Sequence, residues 1–307
     1  MKKPIVTLTI LFSIIFGFLG FVVAKSHFSY SIESKNEFYI SNATDFIHYT
    51  KYYTAYDACY LSNNIEVSVE FQSIGSKENT YQAVFDGKGY CIKLKGNAQN
   101  TSLFNIIGEQ GIVRNLEVKT EKCVVNTPAF GLVAVQNHGK ITNVLVEAQE
   151  LTIQKEAIVG GVVGVNYGEI SLLYSNVNVK NNEGVSVVGA ICGYNDGKIN
   201  YTFSIITYTN VPEVIKENLL SGKVNNTYGF VYGINNKPED VAECYYINEG
   251  AYVCSDRNNT KNLFNYLSTV DEEKVFNLIR FSSKVWSLKV SETNVLNFEI
   301  KDGVVNE

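Results

Sequence analysis

The chain has 307 residues, with 31 acidic and 26 basic side chains and a formal net charge of −5. No block of Lys or Arg occurs, which excludes the concentrated positive footprint of a nucleic-acid-binding protein. Tyrosine and phenylalanine are abundant (20 and 17) and proline is scarce (4), a balance that favours strands.

Lys2 and Lys3 open the chain, and no charged residue follows from Pro4 to Ala24. The apolar run Ile5–Val23 ends in Val22-Val23-Ala24, which sets compact residues where a signal peptidase reads, with cleavage before Lys25. A cleaved signal has an apolar core of ~7–15 residues and a spanning helix needs ~20. Residues 1–24 are therefore either a signal peptide or an N-terminal membrane anchor. Both readings export the remainder, and residues 5–23 are the only expected membrane contact, if uncleaved. No second apolar run of this kind follows. The expected organisation after it is an N-terminal cap with first strands over 25–80, β-helix repeats over 81–260 and a C-terminal cap over 261–307.

Asn42-Ala-Thr-Asp45 has the spacing of a helix N-cap with an acidic partner three residues on. Phe46, Ile47, Tyr49 and Tyr53 follow, so a short amphipathic helix is expected to plug the first coil. Further along, Asn137, Asn166 and Asn195 recur at intervals of 29 residues. Each is followed two residues later by glycine (Gly139, Gly168, Gly197) and two later again by isoleucine (Ile141, Ile170, Ile199). Each is also preceded by glycine six residues earlier, at Gly131, Gly160 and Gly189. A looser copy, Gly229-Phe-Val-Tyr-Gly-Ile-Asn235, comes after an insertion containing Pro212. A degenerate one, Leu103 to Gly108 and then Gly111 to Leu116, precedes the set.

A fixed period of this length signals a repeat architecture. Runs such as Ile141–Val146, Leu151–Ile153, Ser171–Val179 and Ile199–Thr207 are rich in β-formers and broken by Gly and Asn, so they read as strands. At ~3.3 Å per residue, 29 residues hold about three short strands and three turns, one coil of a β-helix. Equivalent residues then stack from coil to coil, and the asparagines form an inward or turn-located ladder exchanging amide hydrogen bonds. Glycines are expected to supply left-handed backbone at the corners. Solenoid ends need caps. Besides the helix at Asn42, Ser268-Thr-Val-Asp271 begins a second candidate helix, and Trp286 is expected to pack against the last coil. The fold class expected is all-β: a right-handed parallel β-helix with short helical caps, behind the N-terminal segment.

On these residues the chain resembles the GLUG-motif proteins, exported repeat proteins of bacteria and protists. Gly161-Val-Val-Gly164-Val-Asn166-Tyr-Gly168-Glu-Ile170 carries the motif, while Ala190–Gly193 and Phe230–Gly233 fill its slot more loosely. Tyr60–Ile65, Phe85–Ile92 and Leu103-Phe104 look like the lead-in, and the likeness runs from about residue 38 to 298. Asn64 stands where the family often has Asp, and Lys237 replaces the turn glycine of the last copy. The resemblance implies a β-helix at the cell surface, usually linked to adhesion, and carries no catalytic set.

Six cysteines (Cys59, Cys91, Cys123, Cys192, Cys244, Cys254) permit disulfides in an exported chain. Cys192 sits in an apolar run and reads as buried. Cys244 and Cys254 flank the turn-like Asn248-Glu249-Gly250 and form the best candidate pair. Enzymes on β-helices need clustered carboxylates, yet Asp45, Asp57, Asp86, Asp196, Asp240, Asp256, Asp271 and Asp302 are scattered. Within the coils only Asp196, Glu169 and Glu147 are on offer, and they fall at unaligned positions. His27, His48 and His138 belong to no recognised motif.

No catalytic, cofactor-binding or metal-binding residue is therefore nominated, and no cofactor is expected. Tyr52, Tyr53, Tyr56 and Tyr60 near the start, and Tyr245, Tyr246 and Tyr252 near the end, read first as rings covering the solenoid ends and second as a contact patch. Sequons stand at Asn42, Asn100, Asn200, Asn225 and Asn258. The expected function is a non-catalytic, secreted or cell-surface contact protein with a protein or glycan partner. A carbohydrate-active β-helix enzyme and a purely structural surface-layer component are the alternatives.

Overall fold

The computed structural model describes residues 36–68, 71–99, 101–181 and 186–209, then 228–229, 232–235, 241–248, 251–256, 259–264, 276, 281–290 and 296–303. The apolar run at 5–23, His27, the Pro212 insertion, the Lys237 turn and, apart from the helical and buried Phe276, the expected helix after Ser268 lie outside the described residues. Among the described residues no helix is long and apolar enough to cross a membrane.

The regular coils each contain three strands. One coil runs Ala157–Gly160, Val163–Asn166 and Glu169–Asn181, with corners at Gly161-Val162 and Tyr167-Gly168. The first strands of successive coils form a parallel four-stranded sheet, the second strands a five-stranded one, and the long third strands join a twelve-stranded sheet. Register follows the repeat: Ile141 pairs Ile170, which pairs Ile199, all fully buried. Val113 continues that column in the preceding coil. Each fully buried aliphatic side chain contributes about 1.5–3 kcal/mol, and such stacked columns line the interior of this parallel β-solenoid.

The asparagine ladder forms as the spacing requires. Asn137 Nδ2 donates to Asn166 Oδ1 and Asn166 Nδ2 to Asn195 Oδ1, both at 2.8 Å, and all three residues are fully buried. Each amide also closes its own corner: Asn195 Nδ2 donates to the Gly197 carbonyl (2.9 Å), and Asn137 Oδ1 accepts the Gly139 N–H (3.2 Å). A buried amide needs such partners on both ends, and the stack supplies them.

The repeat glycines act differently from expectation. None of Gly131, Gly139, Gly160, Gly168 or Gly197 has positive φ. They are needed because coils stack backbone on backbone: a Cβ on Gly168 would run into the Gly139 carbonyl oxygen, and one on Gly197 into that of Gly168. The left-handed positions are instead Asn115, Asn143, Leu172 and Tyr201 (φ 50–54°), one per coil, where the long third strand bends. Asparagine tolerates this conformation, whereas leucine and tyrosine adopt it at a cost. In the preceding coil the bend is the longer turn between Val84–Asp86 and Cys91–Gln99, which pair with the two halves of Ile112–Val125. Its Lys88 and Gly89 have positive φ.

The N-terminal cap follows its sequence signals. Helix Ala43–Tyr52 begins at Asn42, whose side chain accepts the Asp45 N–H. Asp45 Oδ2 accepts from Ser41 Oγ (2.6 Å), Ser41 N (3.0 Å) and Asn42 Nδ2 (2.9 Å), and these bonds lower its pKa. Phe46 and Tyr49 enter the main core at full burial, where the Tyr49 and Tyr81 hydroxyls meet at 3.0 Å. Burial pushes both phenols above their ordinary pKa. Asn64 ties the lead-in strands together, its Oδ1 accepting the Cys91 N–H at 2.8 Å.

At the other end the large sheet turns antiparallel, Val241–Asn248 pairing Ala251–Asp256 and that strand pairing Asn259–Phe264. Among the described residues, Trp286 meets the outer face of the stack rather than its end. The hairpin Trp286–Val290/Leu296–Ile300 returns to the outer face of the long sheet, where Leu145, Tyr174 and Phe203 form an outward apolar row. Phe281 stacks on Trp286 (4.5 Å), Phe298 contacts Tyr174 and Phe203 (5.4 Å each), and Trp286 Nε1 donates to Asn143 Oδ1 (3.3 Å). Three apolar side chains on a solvent face need a cover, and this hairpin provides it.

Candidate functional site

The acids nominated by sequence are dispersed. Glu169 pairs with Lys140 (3.3 Å) and Glu147 with Lys119 (3.3 Å), while Asp196 occupies the corner after Asn195. Glu147 lies opposite Asn176 and Glu169 opposite Lys198, so they sit in different parts of the strand. Asp86 is fully buried and saturated: it accepts from Arg114 Nε (2.9 Å), Asn115 Nδ2 (3.0 Å) and Lys88 N (2.9 Å). Such a carboxylate fixes the Asp86–Gly89 turn, with Lys88 Nζ a further 3.5 Å neighbour.

Cys59, Cys91, Cys123 and Cys192 are thiols. Burial raises the pKa of Cys59 and pushes Cys91 and Cys123 up to about 12, which removes them as nucleophiles. Cys192 is fully buried, in line with its apolar surroundings. The side chains of Cys244 and Cys254 lie outside the described residues, and the backbone register sets Cys244 opposite Ser255 and Tyr245 opposite Cys254. The side chains of Tyr245, Tyr246 and Tyr252 are likewise outside them.

The tyrosines near the start divide between the two roles considered for them. Tyr53 and Tyr56 are half-buried against the core, while Tyr52 is 54% exposed and the neighbouring Tyr39 59% exposed. His48, on the cap helix, is exposed and stacked on Phe38 (5.6 Å). Tyr53 donates from its hydroxyl to the Asn79 carbonyl (2.7 Å), which ties the cap to the loop 75–80. Between them opens a concavity of about 370 Å³, bordered by Tyr53, Tyr56, Asp57, Thr80, Gln82 and Gln110. A second, of about 480 Å³, adjoins it and shares Thr80, Gln82 and Gln110, with Glu109 and His138 on its far side.

This groove runs along the corner edge of the solenoid. Gln82 is set in place by its amide: Oε1 accepts the Gln110 N–H (2.9 Å) and Nε2 donates to Thr80 Oγ1 (2.7 Å). Beyond His138 the next corner carries Tyr167, stacked on the imidazole at 4.8 Å and 46% exposed, and Tyr194 follows at 6.4 Å from Tyr167. The corner residues His138, Tyr167 and Asp196 align, as the repeat requires. Gln82, Thr80 and Gln110 were not nominated from sequence. Their signal was the glycine-flanked Gly108-Glu-Gln-Gly111, which occupies the corner that Asn137-His-Gly139 occupies one coil later.

Fold and surface together define a parallel β-solenoid, helix-capped at its N-terminal end, with an amide- and ring-lined groove on its corner edge. No protein-family model matches the chain, and no curated protein does. Among solved structures it is similar to the one described as "a putative immunoglobulin A1 protease from Bacteroides ovatus", at 17% identity and a TM-score of 0.48, over 85% of this chain and 91% of that one. A likeness at this level says nothing about what this chain does.

Proposed function

We propose that this protein is an exported, non-catalytic β-solenoid that presents a contact surface, secreted or tethered at the cell surface by residues 5–23. The observation that carries the reading is the corner edge. It is an exposed series of amide and aromatic side chains on a body whose interior is locked coil to coil, while Glu147 and Glu169 are engaged in ion pairs and Asp86 in the backbone of a turn. Rigid elements with exposed rings suit recognition, because little conformational entropy is lost on binding. The uncharged run after Lys2-Lys3, and the resemblance of Gly161–Ile170 to the GLUG motif, support export and surface contact.

Protease shaving of intact cells, with the N-terminus of the protein determined in parallel, tests this. Release of fragments from residues 80–235 is the expected result. An N-terminus at Lys25 then means secretion, and an intact Met1 a tethered ectodomain. Protection until the cells are lysed would sink the surface reading.

A second reading has one observation in its favour. Asp57 and Glu109, both exposed, border the two halves of the groove. Two carboxylates flanking a bound chain are what glycoside hydrolysis uses. Release of new reducing ends from a panel of polysaccharides, abolished in Asp57→Asn and Glu109→Gln, would establish that reading over the first.

A further inference from the structure

The strongest unassigned feature is the groove itself, and its chemistry narrows the ligand. We infer that it binds an uncharged, extended oligosaccharide lying across the corners of successive coils, an inference that rests on the contact-surface reading above.

Each part of the groove points the same way. Its combined space is that of a ligand site for a drug-sized molecule or several sugar rings. The wall shared by its two halves is built from neutral hydrogen-bonding groups, Thr80, Gln82 and Gln110. Gln82 is already held on two sides and keeps one amide N–H for a ligand, so little ordering is needed on binding. Neither half is bordered by Lys or Arg, and each contains one carboxylate. Phosphate, sulfate and uronate groups would meet only like charge there. A protein or nucleic-acid anion is disfavoured on the same ground.

The aromatic groups stand at the two ends of this wall. Tyr53 and Tyr56 border one, and the His138–Tyr167 stack continues from the other. Flat ring faces beside amides and hydroxyls match a pyranose, which has an apolar C–H face and hydroxyls around its rim. Spacing adds to this. Coils repeat every ~4.8 Å, and a pyranoside in an extended chain advances by a similar distance, so consecutive sugars meet consecutive corners. The corner series Gln82, Gln110, His138, Tyr167 then reads as one side chain for each coil.

The test uses the full-length protein in a detergent without a sugar headgroup, applied to an array of neutral and anionic glycans, with calorimetry on the hits. Binding to neutral oligosaccharides is expected, lengthening to a plateau at a few sugars. Gln110→Ala and Tyr167→Ala alter exposed side chains, so folding should survive. Each should weaken binding by about three- to tenfold, as expected for loss of one hydrogen bond or one ring contact. Lys122→Ala, outside the groove, should leave it unchanged.

Exclusive binding to anionic glycans overturns the proposal. So does binding that Gln110→Ala and Tyr167→Ala both leave intact, or no binding to any glycan. None of those results touches surface exposure, which shaving reads independently. Cleavage of a bound neutral chain would keep the site and overturn the non-catalytic reading.

Discussion

The asparagine ladder and the C-terminal hairpin both set buried side chains against the stacked coils, but by opposite means. In the ladder each residue meets copies of itself 29 positions away, and the hydrogen bonds at 2.8 Å repeat without change from Asn137 to Asn195. In the hairpin, Trp286 meets Asn143 and the Ile300 N–H meets Glu117, 143 and 183 positions away, through contacts that occur once. The repeated contact is cooperative along the stack, so a break propagates to both neighbours. The unique contact is a docking event, so a break should stay local.

The largest effect expected is therefore in the ladder. Asn166→Ala withdraws a partner from the buried Asn137 Nδ2 and Asn195 Oδ1 and from the half-buried Gly168 carbonyl, and should cost roughly 3–6 kcal/mol. A single shifted urea midpoint for the whole solenoid is the expected readout. A loss below about 1 kcal/mol would mean that the ladder is incidental to the coil stack. Next comes Trp286→Ala, which should cost about 3 kcal/mol of docking free energy. Hydrogen exchange should then speed up in 281–303 and over Leu145, Tyr174 and Phe203, with the ladder amides still protected. Exchange spreading to Ile141 and Ile170 would contradict the local picture.

A smaller change sharpens the contrast from within the repeat. Tyr201 holds a left-handed backbone that Asn115 and Asn143 hold more readily. Tyr201→Asn should stabilise the protein by about 1 kcal/mol, visible as a raised thermal midpoint. A lowered midpoint would show that the tyrosine ring contributes more than the backbone costs.

The smallest effect concerns Glu117. Burial raises its pKa above the ordinary 4.5 against the attraction of Lys119, while Glu117 and Glu147 raise Lys119 in spite of its own burial. A carboxyl raised in the folded state contributes stability below its unfolded pKa, and that contribution is lost as pH rises through the folded value. Global stability should therefore rise as pH falls from neutral toward 4.5, although the Ile300 N–H, which favours the charged carboxylate, works against the effect of burial. Glu117→Gln keeps an acceptor for the Ile300 N–H, should remove this part of the pH dependence, and should shift stability at pH 7 by less than about 1 kcal/mol. Urea midpoints of both proteins at pH 7 and pH 5 decide it, and parallel pH profiles would refute it.

The candidate groove was half legible beforehand. His138 and Tyr167 align in any reading of the 29-residue period, and Tyr53 and Tyr56 stood out as a cluster. Gln82 and Gln110 did not, because their corners have Tyr81 and Ile107 where later coils have the ladder asparagine. Their role also depends on the loop 75–80, which Tyr53 pins from the cap. No local pattern encodes a concavity made by a cap, a loop and two corners.

Sequence alone determined the period, the strands, the amide ladder and the helix cap at Asn42. Each depends on residues that are neighbours along the chain, or that become neighbours through a fixed repeat. Tertiary structure alone decided that the glycines serve close stacking rather than left-handed corners. It also decided that Leu172 and Tyr201 bend the long strand, and that Trp286 covers the outward row Leu145, Tyr174 and Phe203. A glycine column looks the same in sequence whether it yields a corner or admits a neighbouring backbone. An apolar residue pointing outward finds its cover only when a segment far along the chain folds back onto it.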